Sequence, residues 1–220
     1  MSLPAPTLLR LRAALYPLDA APTGPGWNHE ELFGLLAGRD SATIAAAVLV
    51  GLVRRADGIQ VLLTRRNDAM RHHPGQVSFP GGRIEADDVD AAAAAIREAG
   101  EEIGLLPMQI APLGYLDPLA TITGFRVLPL VATITPDYIA RPDPREVAEV
   151  FEVPLDYLLA PENLARIEIA ASPSAASTYD FSGRPRSVLE FVDRGESGQR
   201  IWGATASILF NLGERLRSVR

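Results

Sequence analysis

The stretch from Ile44 to Val53, IAAAVLVGLV, carries no polar side chain, which leaves few places in a folded protein where it can sit. It is too short to cross a bilayer, so it reads as a buried strand. A second apolar run, IQVLLTRR, follows the turn signal RRADG, and Asp57-Gly58 marks the expected tip of a hairpin. With 47% of its 220 residues apolar, the chain has enough side chains for one real core with some decoration at its ends.

The rest alternates between extended and helical signals. Thr7 to Tyr16 has the spacing of a short amphipathic helix, followed by a loop rich in proline and glycine, PLDAAPTGPGWNHEE. Residues 67–76 read as a polar loop and Val77 to Phe79 as a short extended piece. Asp88 to Ile103 is the clearest helix: Val89, Ala92, Ala93, Ile96 and Ile103 recur at helical spacing, Asp88 can cap its start and Gly104 can stop it. MQIAPLGYLD, FRVLPLVATIT, REVAEVFEVP, IEIAAS and SVLEFVD read as strands, and LDYLLA as a short helix. IWGATASILFNLGERLRSV closes the chain as an amphipathic helix, 201–217, with Trp202 expected to anchor it to the core. Strands surrounding a central helix give a mixed α/β (α+β) domain, not a bundle and not a doubly wound sheet. Residues 1–40 read as an extension and 41–220 as the domain.

Composition also limits function. The absence of cysteine removes disulfides, thiolate nucleophiles and cysteine zinc sites, and fits a reducing cytoplasm. A net charge of −6 argues against a general nucleic-acid binder, although a local basic patch can still hold an anion. The opening MSLPAPTLLRLRAALYPLDAAP mixes prolines and arginines into its leucines, unlike a secretory signal, and no run is long enough for a membrane span. A cytoplasmic enzyme with a small-molecule substrate is the expectation; self-pairing as a homodimer is left open.

The central helix carries the chemistry. Glu98, Glu101 and Glu102 fall within about a third of its circumference at roughly 100° per residue, so three carboxylates project from one side. A glutamate cluster taken alone is usually a solvated helix face. Here Arg97, four residues before Glu101, can neutralise one carboxylate, and the remainder invite a divalent cation. Oxygen-only ligands favour Mg²⁺, Mn²⁺ or Ca²⁺ over zinc, and Mg²⁺ usually combines one or two carboxylates with waters and substrate phosphates. The double glycine Gly81-Gly82 brings backbone close to the start of the same helix.

The segment GGRIEADDVDAAAAAIREAGEEIGL resembles the Nudix box, G-x5-E-x7-R-E-U-x-E-E-x-G-U with U apolar. Gly82 matches the opening glycine, and Arg97-Glu98, Glu101-Glu102, Gly104 and Leu105 match the closing part. Two departures stand out: one extra residue lies between Gly82 and Arg97, and Asp88 takes the place of the first glutamate. Upstream, LLTRRNDAMRHHPGQVSFPGG resembles the element that precedes the box in the coenzyme A diphosphatase subfamily; REVAEVFEVPLDYLL and IWGATASIL are similar to that subfamily as well. The resemblance spans about Ala45 to Leu216.

The resemblance implies a Nudix-type α/β/α sandwich, a mixed sheet flanked by helices. It implies Mg²⁺ or Mn²⁺ held by Glu98, Glu101 and Glu102, with the carbonyl of Gly82 as a further ligand, and Arg97 bracing a glutamate. Glu146 and Glu149 are candidates for a base supplied from outside the helix. Arg65, Arg66, Arg71, His72 and His73 are chemically fit to meet the phosphates of coenzyme A. The implied reaction splits coenzyme A, or an acyl or oxidised form, into 4′-phosphopantetheine and adenosine 3′,5′-bisphosphate. Two other readings keep part of the pattern: a Nudix hydrolase of another diphosphate, such as a nucleotide sugar, a dinucleoside polyphosphate or a damaged nucleotide, and a nucleotide-sensing module that cleaves nothing.

Overall fold

The computed structural model describes residues 3–30, 43–70, 72–169, 186–191 and 198–219. The apolar run is the strand β1, Ile44–Arg55, and it forms a hairpin with β2, Gly58–Arg66. Ala56 and Asp57 make the two-residue turn, and Gly58 (φ 139°) already pairs with Arg55, so the tip lies one residue before the expected Asp57-Gly58. Further elements are α1 (Ala5–Ala14), β3 (Val77–Ser78), β4 (Gly81–Arg83), α2 (Ala91–Ile103), β5 (Ile110–Tyr115), β6 (Leu119–Ala120), β7 (Phe125–Ile134) and β8 (Val147–Pro154). The chain continues through α3 (Leu155–Leu159), β9 (Leu164–Ile169), β10 (Arg186–Phe191) and α4 (Gly203–Ser218). Residues 170–172 and 192–193, read above as strand ends, lie outside the described residues.

Strands β1 to β8 join one mixed sheet whose path runs β3-β2-β1-β7-β5. β1 and β7 are parallel; the other pairs are antiparallel. β9 and β10 form a separate hairpin. Because successive side chains of a strand point to opposite faces, β1 serves two cores at once. Ala47, Leu49 and Val53 pack with Ala91, Ala94, Ala95, Ala99 and Ile103 of α2, while Val50 and Leu52 share a cluster with Leu11 of α1 and with Ile208, Leu209 and Leu212 of α4. The small alanine side chains let α2 lie close on the sheet. The result is the expected α/β/α sandwich.

Three expectations need correction. The helix is capped by Asp90, whose Oδ1 accepts from the Ala93 N–H at 2.8 Å, not by Asp88. Val89 therefore precedes the helix, and at 89% exposure it adds nothing to the apolar stripe. At the far end Gly104 does stop the helix, in the left-handed region at φ 70°. Trp202 is half-buried at the start of α4 with the Arg200 guanidinium 4.8 Å from its ring, and the core anchors are its neighbours Ile201, Ile208 and Leu209.

The N-terminal segment is part of the fold over residues 3–30; residues 31–42 lie outside the described ones. Leu3, Leu11, Ala14 and Leu15 are buried in the α4-side core. Tyr16 pairs with Tyr115 at the edge of β5, its hydroxyl donates to Asp117, and Arg215 of α4 reaches Asp117 from the other side at 3.0 Å. Farther along, Asn28 brackets the backbone of Ala120 with two hydrogen bonds of 2.9 Å.

Candidate active site

The candidate site starts from two glycines. β4 pairs with the opening of β1, Gly81 opposite Val48 and Gly82 opposite Ala47. A Cβ at Gly81 would lie 2.4 Å from the Ala47 carbonyl oxygen, so no other residue allows this approach. A Cβ at Gly82 would instead meet the carboxylate of Glu98, 2.4 Å from Oε1. The first contact is with fixed backbone and the second with the end of a movable side chain. Gly82→Ala is therefore expected to leave the melting temperature within a few degrees of wild type while lowering turnover at least about tenfold through displacement of Glu98. Thermal unfolding and steady-state kinetics on the same preparation check both halves.

Glu102 lies one turn beyond Glu98 on α2 and is buried, at 5% exposure. Its Oε2 accepts from the Gly81 N–H at 3.2 Å. Burial above all pushes this carboxyl up to about 8; the Gly81 N–H and the charge of Arg66 oppose the shift, while Glu98 and Glu146 reinforce it. Glu98 is also raised, again first by burial, against the stabilising bond from Arg97. Glu101 is different: its side chain is 63% exposed and reaches the Arg97 guanidinium at 3.3 Å. The expected trio is thus a buried Glu102, a half-buried Glu98 and an outlying third member. Among the described residues no three His, Asp or Glu side chains converge on a single point.

Does this donor set suit a divalent cation? Two carboxyls one helical turn apart, in a poorly solvated cleft, resist ionisation unless positive charge arrives. Their donors are oxygens, as Mg²⁺ and Mn²⁺ require. The pair fits such an ion. Glu98, Glu102 and the backbone at Gly82 are the groups that would hold it, with Glu101 joining after leaving Arg97.

Arg97 ties the cluster together. It grips Asp88 with Nε and Nη2, both at 3.0 Å, donates to Glu98 Oε1 at 3.0 Å and reaches the Arg83 carbonyl at 3.0 Å. Asp88 also accepts from the Glu85 N–H at 2.8 Å, tying down the turn that enters α2. The extra residue of the box pattern falls after Asp88, where Val89 and Asp90 lead into the helix, and the shorter aspartate still meets the guanidinium with both oxygens. Lysine cannot reproduce a fork engaging four partners. Arg97→Lys should lower turnover by about tenfold or more, with a larger effect at limiting metal; metal titration of both proteins checks it.

The basic residues upstream separate into groups. Arg65 is engaged by Asp68, at 3.0 and 3.1 Å, and lies 3.8 Å from Glu149, so it braces the loop after β2. Arg66 stands opposite Val147 where the β2–β8 register shifts; its Nε is buried without a hydrogen-bond partner, and its charge acts on Glu102. His72 and His73 are exposed, and His73 takes a left-handed conformation at φ 56°. Arg71 lies outside the described residues.

Glu146 and Glu149 also part company. Glu149 accepts from Gln199 at 2.8 Å. Glu146 is exposed, and its charge raises both Glu98 and Glu102. Its loop is fastened to the end of α2 by the Arg141 N–H on the Ile103 carbonyl (2.8 Å) and the Asp143 N–H on the Glu102 carbonyl (2.9 Å). Of the two, Glu146 is the one whose charge bears on Glu98 and Glu102.

A family model described as "NUDIX domain" matches residues 43–172. Among curated proteins, the chain is similar to "Uncharacterized Nudix hydrolase NudL" of Enterobacter sp. (strain 638), 47% identical over 114 residues, covering 52% of this chain and 59% of that protein. The protein of the same description from Escherichia coli (strain K12) is 46% identical over 110 residues, covering 50% of this chain and 57% of its own length. The chain thus spans less than two thirds of the curated relatives it matches. Among solved structures, a C. elegans Ap4A hydrolase binary complex aligns with a TM-score of 0.45 at 22% identity, over 50% of this chain and 80% of that one. The NUDIX domain of Shewanella oneidensis NrtR complexed with ADP ribose aligns at 0.42 and 20%, over 59% and 86%.

Proposed function

Because this chain belongs to the NUDIX domain family, we propose that it is a divalent-metal-dependent hydrolase of a nucleoside diphosphate derivative, with coenzyme A or one of its derivatives as substrate. The observation that carries the reaction class is the pairing of buried Glu102 and half-buried Glu98 against Gly81-Gly82. What supports coenzyme A is the element LLTRRNDAMRHHPGQVSFPGG together with the position of Arg66 beside the acidic pair.

A bound Mg²⁺ or Mn²⁺ would supply charge neutralisation of the diphosphate and acidify a water. The chain's own residues do the rest. Glu98 and Glu102 fix the place of positive charge, and Arg97 holds the helix face rigid around them. Arg66, whose charge bears on Glu102, would offer its guanidinium to an oxygen of the diphosphate. Glu146 is the carboxylate assigned here to take the proton of an attacking water, since its charge bears on the pair and it is exposed. Substitution at phosphorus then breaks one P–O–P bond and yields two phosphate monoesters. No helix among the described residues is long and apolar enough to cross a membrane.

Product analysis by mass spectrometry tests the reading directly. Purified protein is incubated with Mg²⁺ or Mn²⁺ and with coenzyme A, 3′-dephospho-coenzyme A, ADP-ribose and diadenosine tetraphosphate. The expected result is 4′-phosphopantetheine and adenosine 3′,5′-bisphosphate, with coenzyme A favoured over its dephospho form and no products in EDTA. Cleavage of the other diphosphates alone would transfer the activity to a different substrate, and no cleavage of any would leave a sensing module.

A further inference from the structure

Arg83 and Phe125 stand on the side of β4 away from the carboxylates. Strand alternation turns Gly82 toward Glu98, so the next side chain, Arg83, projects to the α4-side face of the sheet. There its guanidinium carbon lies 5.6 Å from the centroid of the Phe125 ring. Phe125 opens β7 opposite Ile44 and is held from both ends of its peptide: its N–H donates to Thr121 Oγ1 at 3.0 Å, and its carbonyl accepts from the Thr121 N–H at 2.8 Å. The Arg83 backbone is held too, by the bond from Arg97 to its carbonyl.

An arginine lying over an aromatic ring is in most proteins only a solvated packing contact. This pair differs in three ways. Arg83 is exposed, yet no acid among the described residues pairs with it. It directly follows the glycine that touches Glu98. Phe125 is only half-buried, as is Val127 on the same face, so apolar sheet surface lies open beside a cation at the strand end that carries the site. A guanidinium plane and a phenyl face both stack on flat π-systems with little preference among bases.

We propose that Arg83 and Phe125 form the subsite for the nucleobase of the substrate, reached around the end of β4 from the position of the diphosphate. The proposal rests on the reading of Glu98, Glu102 and Gly82 as the diphosphate site, but not on the identity of the other half of the substrate.

The test uses two inert probes with the full chain and Mg²⁺: α,β-methylene-ADP, which carries a base, and methylenediphosphonate, which keeps the bridged phosphorus pair and lacks the nucleoside. Equilibrium binding is measured by calorimetry for wild type, Arg83→Gln and Phe125→Leu, with Phe125→Tyr as the conservative control. Each of the first two variants should weaken α,β-methylene-ADP about tenfold, as loss of one base-stacking contact predicts, and leave methylenediphosphonate unchanged; Phe125→Tyr should bind both like wild type. Equal weakening of both probes would make Arg83 a phosphate ligand and overturn the proposal. So would unchanged binding in Arg83→Gln, or a wild type that does not prefer the probe carrying the base. Should Phe125→Leu fail to fold, the exposed Arg83 position decides the matter alone. Neither probe contains pantetheine, so a wild type that prefers α,β-methylene-ADP yet leaves coenzyme A intact would sink the substrate assignment and spare this one.

Discussion

Glu102→Gln should produce a protein that has lost about 10³-fold in turnover, equivalent to about 4 kcal/mol of transition-state stabilisation, and is more stable than wild type when metal is absent. Both halves come from the same carboxyl. With metal bound, its charge is the reason for the site. Without metal, that charge has to be created in a cleft where burial raises the carboxyl to about 8. The amide keeps the shape and the acceptor oxygen for the Gly81 N–H but never ionises. In EDTA at pH 8 the variant should therefore melt above wild type, by the equivalent of about 2–4 kcal/mol. A variant that melts below wild type under those conditions would show that Glu102 is not a desolvated acid, whatever its kinetics.

The second large effect is on the pH dependence of the metal-free protein. Glu102 titrates near 4.5 in the unfolded chain and near 8 in the folded one. Below the lower value it is protonated in both states and costs nothing. Between the two, the unfolded chain releases its proton while the folded chain keeps it, so folding stability falls as pH rises, levelling off above the folded value. Glu98 shifts in the same direction and adds to the fall. Asp117 and Glu152, held low in the fold by hydrogen bonds and ion pairs to Asn211, Tyr16, Arg215 and to Arg55 and Tyr138, act oppositely and remove stability as pH drops through their folded values. The metal-free protein should thus be most stable near pH 5 and lose about 3–5 kcal/mol toward pH 8. Saturating Mg²⁺ should recover most of that loss, because the cation binds the ionised folded form. Denaturant melts at a series of pH values, with EDTA and with Mg²⁺, measure the difference. Parallel curves under the two conditions would separate the acidic pair from metal binding.

Much of this was legible in the residues. The three glutamates and Arg97 follow from helical spacing, which depends only on neighbours along the chain, and the double glycine signals a close approach whose partners, Ala47 and Glu98, only the fold supplies. Boundaries that depended on competition between similar side chains were not. Asp88 and Asp90 are equally good caps by type, and only the grip of Arg97 on Asp88 leaves Asp90 for the helix. Arg65 and Arg66 look interchangeable in sequence. Alternation and the bulge against β8 leave one paired with Asp68 and the other with a buried Nε and a charge that bears on Glu102, a distinction made by pairing with a strand about eighty residues away. The place of Glu146 depends on that same pairing. The N-terminal segment looked like an appendage because proline and glycine interrupt its apolar pattern, yet its few leucines are spaced to reach a core that other elements build.

The parallel pairing of β1 with β7 sets an order of events on a ribosome. Ile44 must wait for Phe125, and Val53 for Ile134, before the middle of the sheet exists. The α2 helix has no completed surface to lie on until then, so the acids it carries spend the early life of the chain in water, ionised and apart. The acidic cluster is therefore a late product of folding, completed only once the chain through Ile134 has emerged.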